Sequence, residues 1–302
     1  MARILVSGLV NIETTLHIEG FPVQCKPVDY PFFGIHSAVS GAGYNLAKAL
    51  TTLGDDVTLL SIVGQDLGAD QVRSTLHKDS INSGFVMDTA AHTAQSVILY
   101  APGGKRQIFA DLKDIQDQAY PIRLFDEAMP GCELLALCNI NFSRPFLRRA
   151  LQSGLPVASD VQTINDLDDP YNRDFMHAAQ ILFLSDELLP VSPEEWASRI
   201  LSRFPAEIVV IGLGDQGALL AVRRDHFVQR FPAAVTRPIV NTIGAGDALF
   251  SAFLHSYLES KNPYTSIQKA LVFASYKVGA RSAAEGFLNH TALHRLYAET
   301  VR

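Results

Sequence analysis

The sequence predicts an α/β fold: a mostly parallel central sheet flanked by helices, with a small separate β element. Three observations carry this reading. Short β-branched runs alternate with segments of helical spacing along most of the chain. Two stretches, about 12–40 and 95–111, break that alternation with extended pieces and turn residues. The chain has 302 residues, 48% of them hydrophobic, which suits one large domain burying a sheet on both faces.

Ile4 to Ser7 opens the chain as a strand. The pieces between Thr14 and Ser40 are broken by Gly20-Phe21-Pro22, Pro27 and Pro31. Leu46, Ala49, Leu50 and Leu53 then recur at helical spacing, and Gly54 stops that helix. Val57 to Ile62 is the next strand. Ser96 to Tyr100 and Arg106 to Ala110 flank Pro102-Gly103-Gly104, a hairpin signature. Further strands are expected at Leu134 to Leu137, Pro156 to Ser159, Ile181 to Leu184, Ile208 to Ile211 and Ala218 to Val222. Phe146 to Gln152 and Trp196 to Phe204 have helical spacing. Ala270 to Ala284 reads as one long helix. Alternating strands and helices imply parallel strands with crossover helices, and ligands then sit beyond the carboxyl ends of the strands. Asn139, Asp160, Ser185 and Gly212 all fall on that rim.

Composition excludes several classes. The formal net charge is −6 and no basic block occurs, so neither nucleic acid nor an anionic membrane is expected as partner. Cys25, Cys132 and Cys138 are an odd set without metal spacing, which argues against a disulfide framework or a zinc site. The nine histidines are assigned neither to metal nor to catalysis. No signal peptide and no apolar run of about 18 residues is present, so a cytoplasmic protein is expected.

The most informative segment is Asn241 to Asp247, N-T-I-G-A-G-D, which precedes the apolar stretch Ala248 to Leu258. Gly244, Ala245 and Gly246 let a ligand approach the backbone, and the following helix aims free N–H groups at it. That makes an anion nest. Asp247 adds a carboxylate beside the bound anion, which suits a base accepting a hydroxyl proton during phosphoryl transfer. The alternative is a plain helix start with an acidic first turn. A second glycine-rich segment, S-G-A-G-Y-N from Ser40, tips the balance: Gly41 and Gly43 precede Asn45, whose amide suits a neighbouring hydroxyl.

With both segments in this order, about two hundred residues apart, the chain resembles the ribokinase/PfkB carbohydrate kinases over nearly its whole length, from Ile4 through Gly286. The resemblance implies a ribokinase-like fold, one domain over 1–302, and a lid built from the two irregular stretches. A lid would exclude water, which competes as phosphoryl acceptor. It further implies ATP with Mg²⁺, a monovalent cation such as K⁺, and a homodimer formed through the lid. Asp247 matches the catalytic base, and Gly244, Ala245 and Gly246 the anion hole. Asn11, Glu13, Gly41, Gly43, Asn45 and Asn139 match sugar-contacting positions, Glu13 replacing the usual Asp; a slip in alignment would make Asn141 the contact instead of Asn139. Ser185, Gly212, Gly214, Gly217, Thr242 and Ser275 match nucleotide-side positions. Asn241 replaces an Asp, which leaves cation contacts there in doubt. Ser185-Asp186-Glu187-Leu188 replaces the family's N-x-x-E, leaving Glu187 to reach Mg²⁺ through water. Arg106 would approach substrate from the lid or lie on the surface, and Lys277 would face nucleotide or solvent.

The resulting expectation is an ATP-dependent kinase acting on a hydroxymethyl group of a small sugar. A nucleoside kinase would need an apolar slot, for which Phe32, Phe33, Ile35 and Tyr100 are candidates. A non-catalytic sugar or nucleotide sensor is the third possibility, motivated by the altered S-D-E-L.

Overall fold

The computed structural model describes residues 1–300. The chain begins with β1 (Arg3–Ser7), β2 (Asn11–His17), β3 (Ile35–Ser40), α1 (Ala42–Leu53), β4 (Asp56–Val63), α2 (Leu67–Lys78) and β5 (Val86–Asp88). A hairpin, β6 (Gln95–Tyr100) and β7 (Arg106–Asp111), is followed by α3 (Ile122–Ala128), β8 (Leu134–Leu137), α4 (Arg144–Ser153), β9 (Val157–Thr163), α5 (Arg173–Ala178) and β10 (Ile181–Ser185). Then come α6 (Pro193–Arg203), β11 (Ile208–Gly212), β12 (Ala218–Val222), β13 (Phe227–Phe231), α7 (Ala245–Ser260), α8 (Pro263–Lys277) and α9 (His290–Thr300).

Among the described residues, nine strands form one sheet in the order β13-β12-β11-β10-β9-β8-β1-β4-β5. All pairings from β11 across to β5 are parallel; β12 and β13 add an antiparallel end. Successive residues of β1 point to opposite faces, so Ile4 and Val6 join one buried cluster and Leu5 the other. The first cluster holds α1, α7 and α8, with Leu50, Phe250 and Phe273; the second holds Phe125, Phe146 and Trp196. Within α7, residues Ala248–Ser256 are buried without interruption, because the helix packs against α1, α8 and the sheet. Each of Phe250, Phe253 and Leu254 contributes about 2 kcal/mol by leaving water. That seating fixes the first turn of α7, where Asp247 sits.

The two irregular stretches assemble into a second sheet, β3-β2-β6-β7. Asn11, Glu13, Thr15, Ser96 and Ile98 are its buried face, while Ile12, Val97 and Phe109 lie on the other. Tyr100 and Ile98 pack on Ile243 and Ala283, so the buried face looks onto the loop before α7.

One helix differs from the reading of the sequence. The expected helix through Ala284 ends at Lys277. Its last carbonyls are taken by another segment: Arg237 Nε donates to Tyr276 O, and the Val240 and Asn241 amides donate to Val278 O. The Arg237 guanidinium also lies 3.8 Å from the centre of the Tyr276 ring. A helix cannot continue where its acceptors are already bonded elsewhere.

Candidate active site

The chain turns into α7 through Gly244, at φ +73°. A Cβ there would lie 2.6 Å from the carbonyl oxygen of Ala283, so no side chain fits. A Cβ on Gly246 would meet no atom within 4 Å, so the backbone of the first turn is open to a ligand. The Ala245 amide donates to the Thr242 carbonyl at 3.2 Å, and the amides that follow it stand at a positive helix end, which favours a bound anion. Thr242 Oγ1 stands beside it and accepts an N–H of Arg106, at 3.3 Å.

Asp247 accepts the Asn45 side-chain N–H at 2.7 Å, which joins the first turns of α1 and α7. Burial pushes its carboxyl up to about 7; the Asn45 bond pulls it back, the Asp160 and Glu13 charges push it further, and Lys277 opposes them. A carboxylate held in that range can both carry and release a proton near neutral pH. Glu13 comes from the buried face of β2, where its Oε2 accepts Ser40 Oγ at 2.9 Å. Burial raises its pKa against the pull of Ser40 and Lys277. Asn11 donates to Ser96 Oγ at 3.1 Å, while its Oδ1 is buried with no partner among the described residues. An orphaned acceptor of this kind calls for a donor from outside, such as a substrate hydroxyl.

The remaining residues singled out in the sequence are less tightly gathered. Gly41 is the N-cap of α1. A Cβ on Gly43 would lie 2.5 Å from the Gly8 carbonyl, so its small size seats α1 on the turn after β1. Asn139 donates to Asn172, and Asn141 is turned away towards the Gln116 carbonyl. Ser185 and Gly212 are register partners at the ends of β10 and β11. Gly214 and Gly217 bracket the turn between β11 and β12, which leads into a strand and not a helix. Ser275 Oγ binds Thr236, tying α8 to the segment before α7. Glu187 accepts Arg106 at 2.8 Å, so this side chain links the rim to the second sheet.

Two groups matter more than their sequence context suggests. Asp160, in β9, is pushed up to about 6 by burial. Lys277 is fully buried, so neither solvent nor an open nucleotide site is its environment. Its ammonium donates to the Ile243 carbonyl, and burial lowers it to about 8 although Glu13 and Asp247 hold it up. The rim position of Asp160 was a usable signal. For Lys277 there was none, because a lysine in a last helical turn is ordinarily solvated.

A profile described as the pfkB family of carbohydrate kinases matches residues 1–129 and 175–290. The acarbose 7(IV)-phosphotransferase of an Actinoplanes species is 24% identical over 296 residues, covering 97% of each chain. A solved microbiome-derived acarbose kinase superposes with TM-score 0.87 at 22% identity, over 98% of this chain and 99% of that one. The Burkholderia thailandensis nucleoside kinase, solved with inosine, gives TM-score 0.80 at 14% identity, over 99% and 98%. At such identities the two structures establish the shared fold.

Proposed function

Because the chain belongs to the pfkB family of carbohydrate kinases, we propose that it transfers the γ-phosphoryl group of ATP to a hydroxymethyl group of a small sugar or sugar-like molecule. The observation that carries this is the position of Asp247, in an open turn at a helix N-terminus, bonded to the Asn45 amide of α1 and near the Glu13 acid of β2. In this reading Asp247 takes the acceptor hydroxyl proton. The α7 amides, with Gly244, Ala245 and Gly246, meet the charge on the transferring group. Asn11 and Glu13 orient the sugar, and Asn45 holds the base.

Mg²⁺ fits this site. Burial raises both Asp160 and Asp247, and the Asp160 charge pushes Asp247 further, so this pair is short of positive charge. Asp160 and Asp186 are the groups that would meet the ion, directly or through water, with Glu187 behind them. When bound with ATP it supplies neutralisation of phosphate charge. Arg106 adds a second cation from β7 and helps the second sheet close over the acceptor as a lid. K⁺ does not fit. The carbonyls of Ile243, Ala280 and Arg281 already accept from Lys277 and from the Asn241 amide.

The pH profile tests the base directly. Asp247 is protonated below about 7, so kcat/KM should rise roughly tenfold per pH unit below that value and level off above it. A profile flat from pH 5.5 to 8 would contradict the role.

A small sugar is favoured over a nucleoside. Phe32 and Phe33 are 84% and 96% exposed, and Ile35 pairs with Leu16 on the outer face of the second sheet. Of the four candidates for an apolar slot, Tyr100 alone packs beside the α7 loop.

That outer face supports a homodimer. Ile35, Val97 and Phe109 expose apolar surface on a sheet with an open edge at β7. Light scattering should give twice the chain mass, and Val97→Lys with Phe109→Lys should give folded monomer. A monomeric parent protein would remove the proposal.

A further inference from the structure

At the far end of α7 from Asp247, His255 and Glu259 lie one helical turn apart. His290 and His294 lie one turn apart at the start of α9. The two pairs face each other. His255 Nε2 is 3.1 Å from His290 Nδ1, His290 Nε2 is 3.8 Å from Glu259 Oε1, and His294 Nε2 is 3.4 Å from Glu259 Oε2. One ligand atom each from His255, Glu259 and His290 falls within 4.8 Å of the others. Bonds of about 2.0–2.1 Å around a tetrahedral zinc ion place neighbouring ligand atoms about 3.3 Å apart, so His255 Nε2 and His290 Nδ1, at 3.1 Å, already have that spacing, and Glu259 has at most about 1.5 Å to close.

A second observation concerns orientation. His255 Nδ1 is 2.7 Å from Asp55 Oδ2, and both side chains are buried. The other oxygen of Asp55 accepts the Ala2 amide at 3.1 Å, which fixes the carboxylate. A carboxylate oxygen that accepts from Nδ1 makes that nitrogen the donor and leaves the lone pair on Nε2, directed at His290. Carboxylate–imidazole pairs of this kind hold metal-binding histidines in place. Glu259 is exposed and His290 half-buried, so an ion has a path in.

Lys269 is the group that opposes an ion. Its ammonium lies 3.3 Å from Glu259 Oε2 and 3.1 Å from His294 Nε2. It therefore engages His294 and one carboxylate oxygen, while His255 Nε2 and His290 Nδ1 bond each other and give up that proton when an ion binds.

We propose that His255, His290 and Glu259 form a binding site for a divalent ion of the zinc class, with water in the fourth position and Asp55 orienting His255. The ion joins α9 to α7 and to the turn between α1 and β4. His255 lies eight residues beyond Asp247, about 12 Å along the helix, so the site acts on stability and not on phosphoryl transfer.

The test uses untagged full-length protein, stripped with chelator and titrated with Co²⁺ and then Zn²⁺ alone. One Co²⁺ per chain should bind with the visible absorption of a four-coordinate nitrogen–oxygen site, and Zn²⁺ should displace it. Saturating Zn²⁺ should raise Tm by about 5 °C. His290→Ala should abolish both effects and leave kinase turnover unchanged. Lys269→Met should tighten binding about tenfold or more, by removing the like charge and freeing His294. A parent protein that binds no stoichiometric ion at micromolar concentration would overturn the site. So would unchanged binding in His290→Ala.

Discussion

Asp247→Asn is expected to lower kcat by about a hundredfold or more, with ATP and acceptor still bound. The substitution keeps the size of the side chain and its place beside Asn45, and it removes only the ability to accept a proton. Steady-state ADP release gives kcat, and equilibrium binding gives the affinities. A loss confined to KM would mean that Asp247 holds substrate and that the proton leaves by another route.

Lys277→Met is expected to lower kcat at pH 7 severalfold, with the lost activity returning as pH is raised. The Lys277 charge holds the Asp247 pKa down, against the burial that pushes it up to about 7. Without the ammonium, Asp247 titrates higher, and each unit leaves about a tenfold smaller ionised fraction at neutral pH. Removing one partner from a buried charge cluster also leaves Glu13 uncompensated. Because Lys277 already occupies the Ile243 carbonyl, the parent enzyme should turn over equally in potassium and in choline chloride. A potassium requirement, or a variant with the parent pH profile, would contradict this role.

Much of the scaffold was legible because its cause is local. Runs such as Ile208 to Ile211 are too apolar and too short for anything but a covered strand, and Gly54 ends α1 at φ +100°. The hairpin around Pro102-Gly103-Gly104 is likewise written in its turn residues. The α8 boundary was not legible. It depends on Arg237, Val240 and Asn241 capturing carbonyls some forty residues away, and no window of sequence contains that competition.

The site divides in the same way. The N-T-I-G-A-G-D segment indicates an anion nest because the glycines and the carboxylate are adjacent in the chain. Its electrostatics come from Asp160, Glu13 and Lys277, which only the fold brings near Asp247. The same holds for the histidines. The spacing of His290 and His294 carries no meaning until α9 is seen to begin at His290 and to face α7.

The most direct test of the central claim is ADP release from Mg²⁺-ATP across a panel of pentoses, hexoses, sugar acids, phosphorylated sugars, glycosides and nucleosides. The account predicts turnover with a compound bearing a free hydroxymethyl group, with phosphate recovered on that carbon. Turnover confined to acceptors without a hydroxymethyl group would contradict it. So would silence across the panel in folded protein that binds ATP.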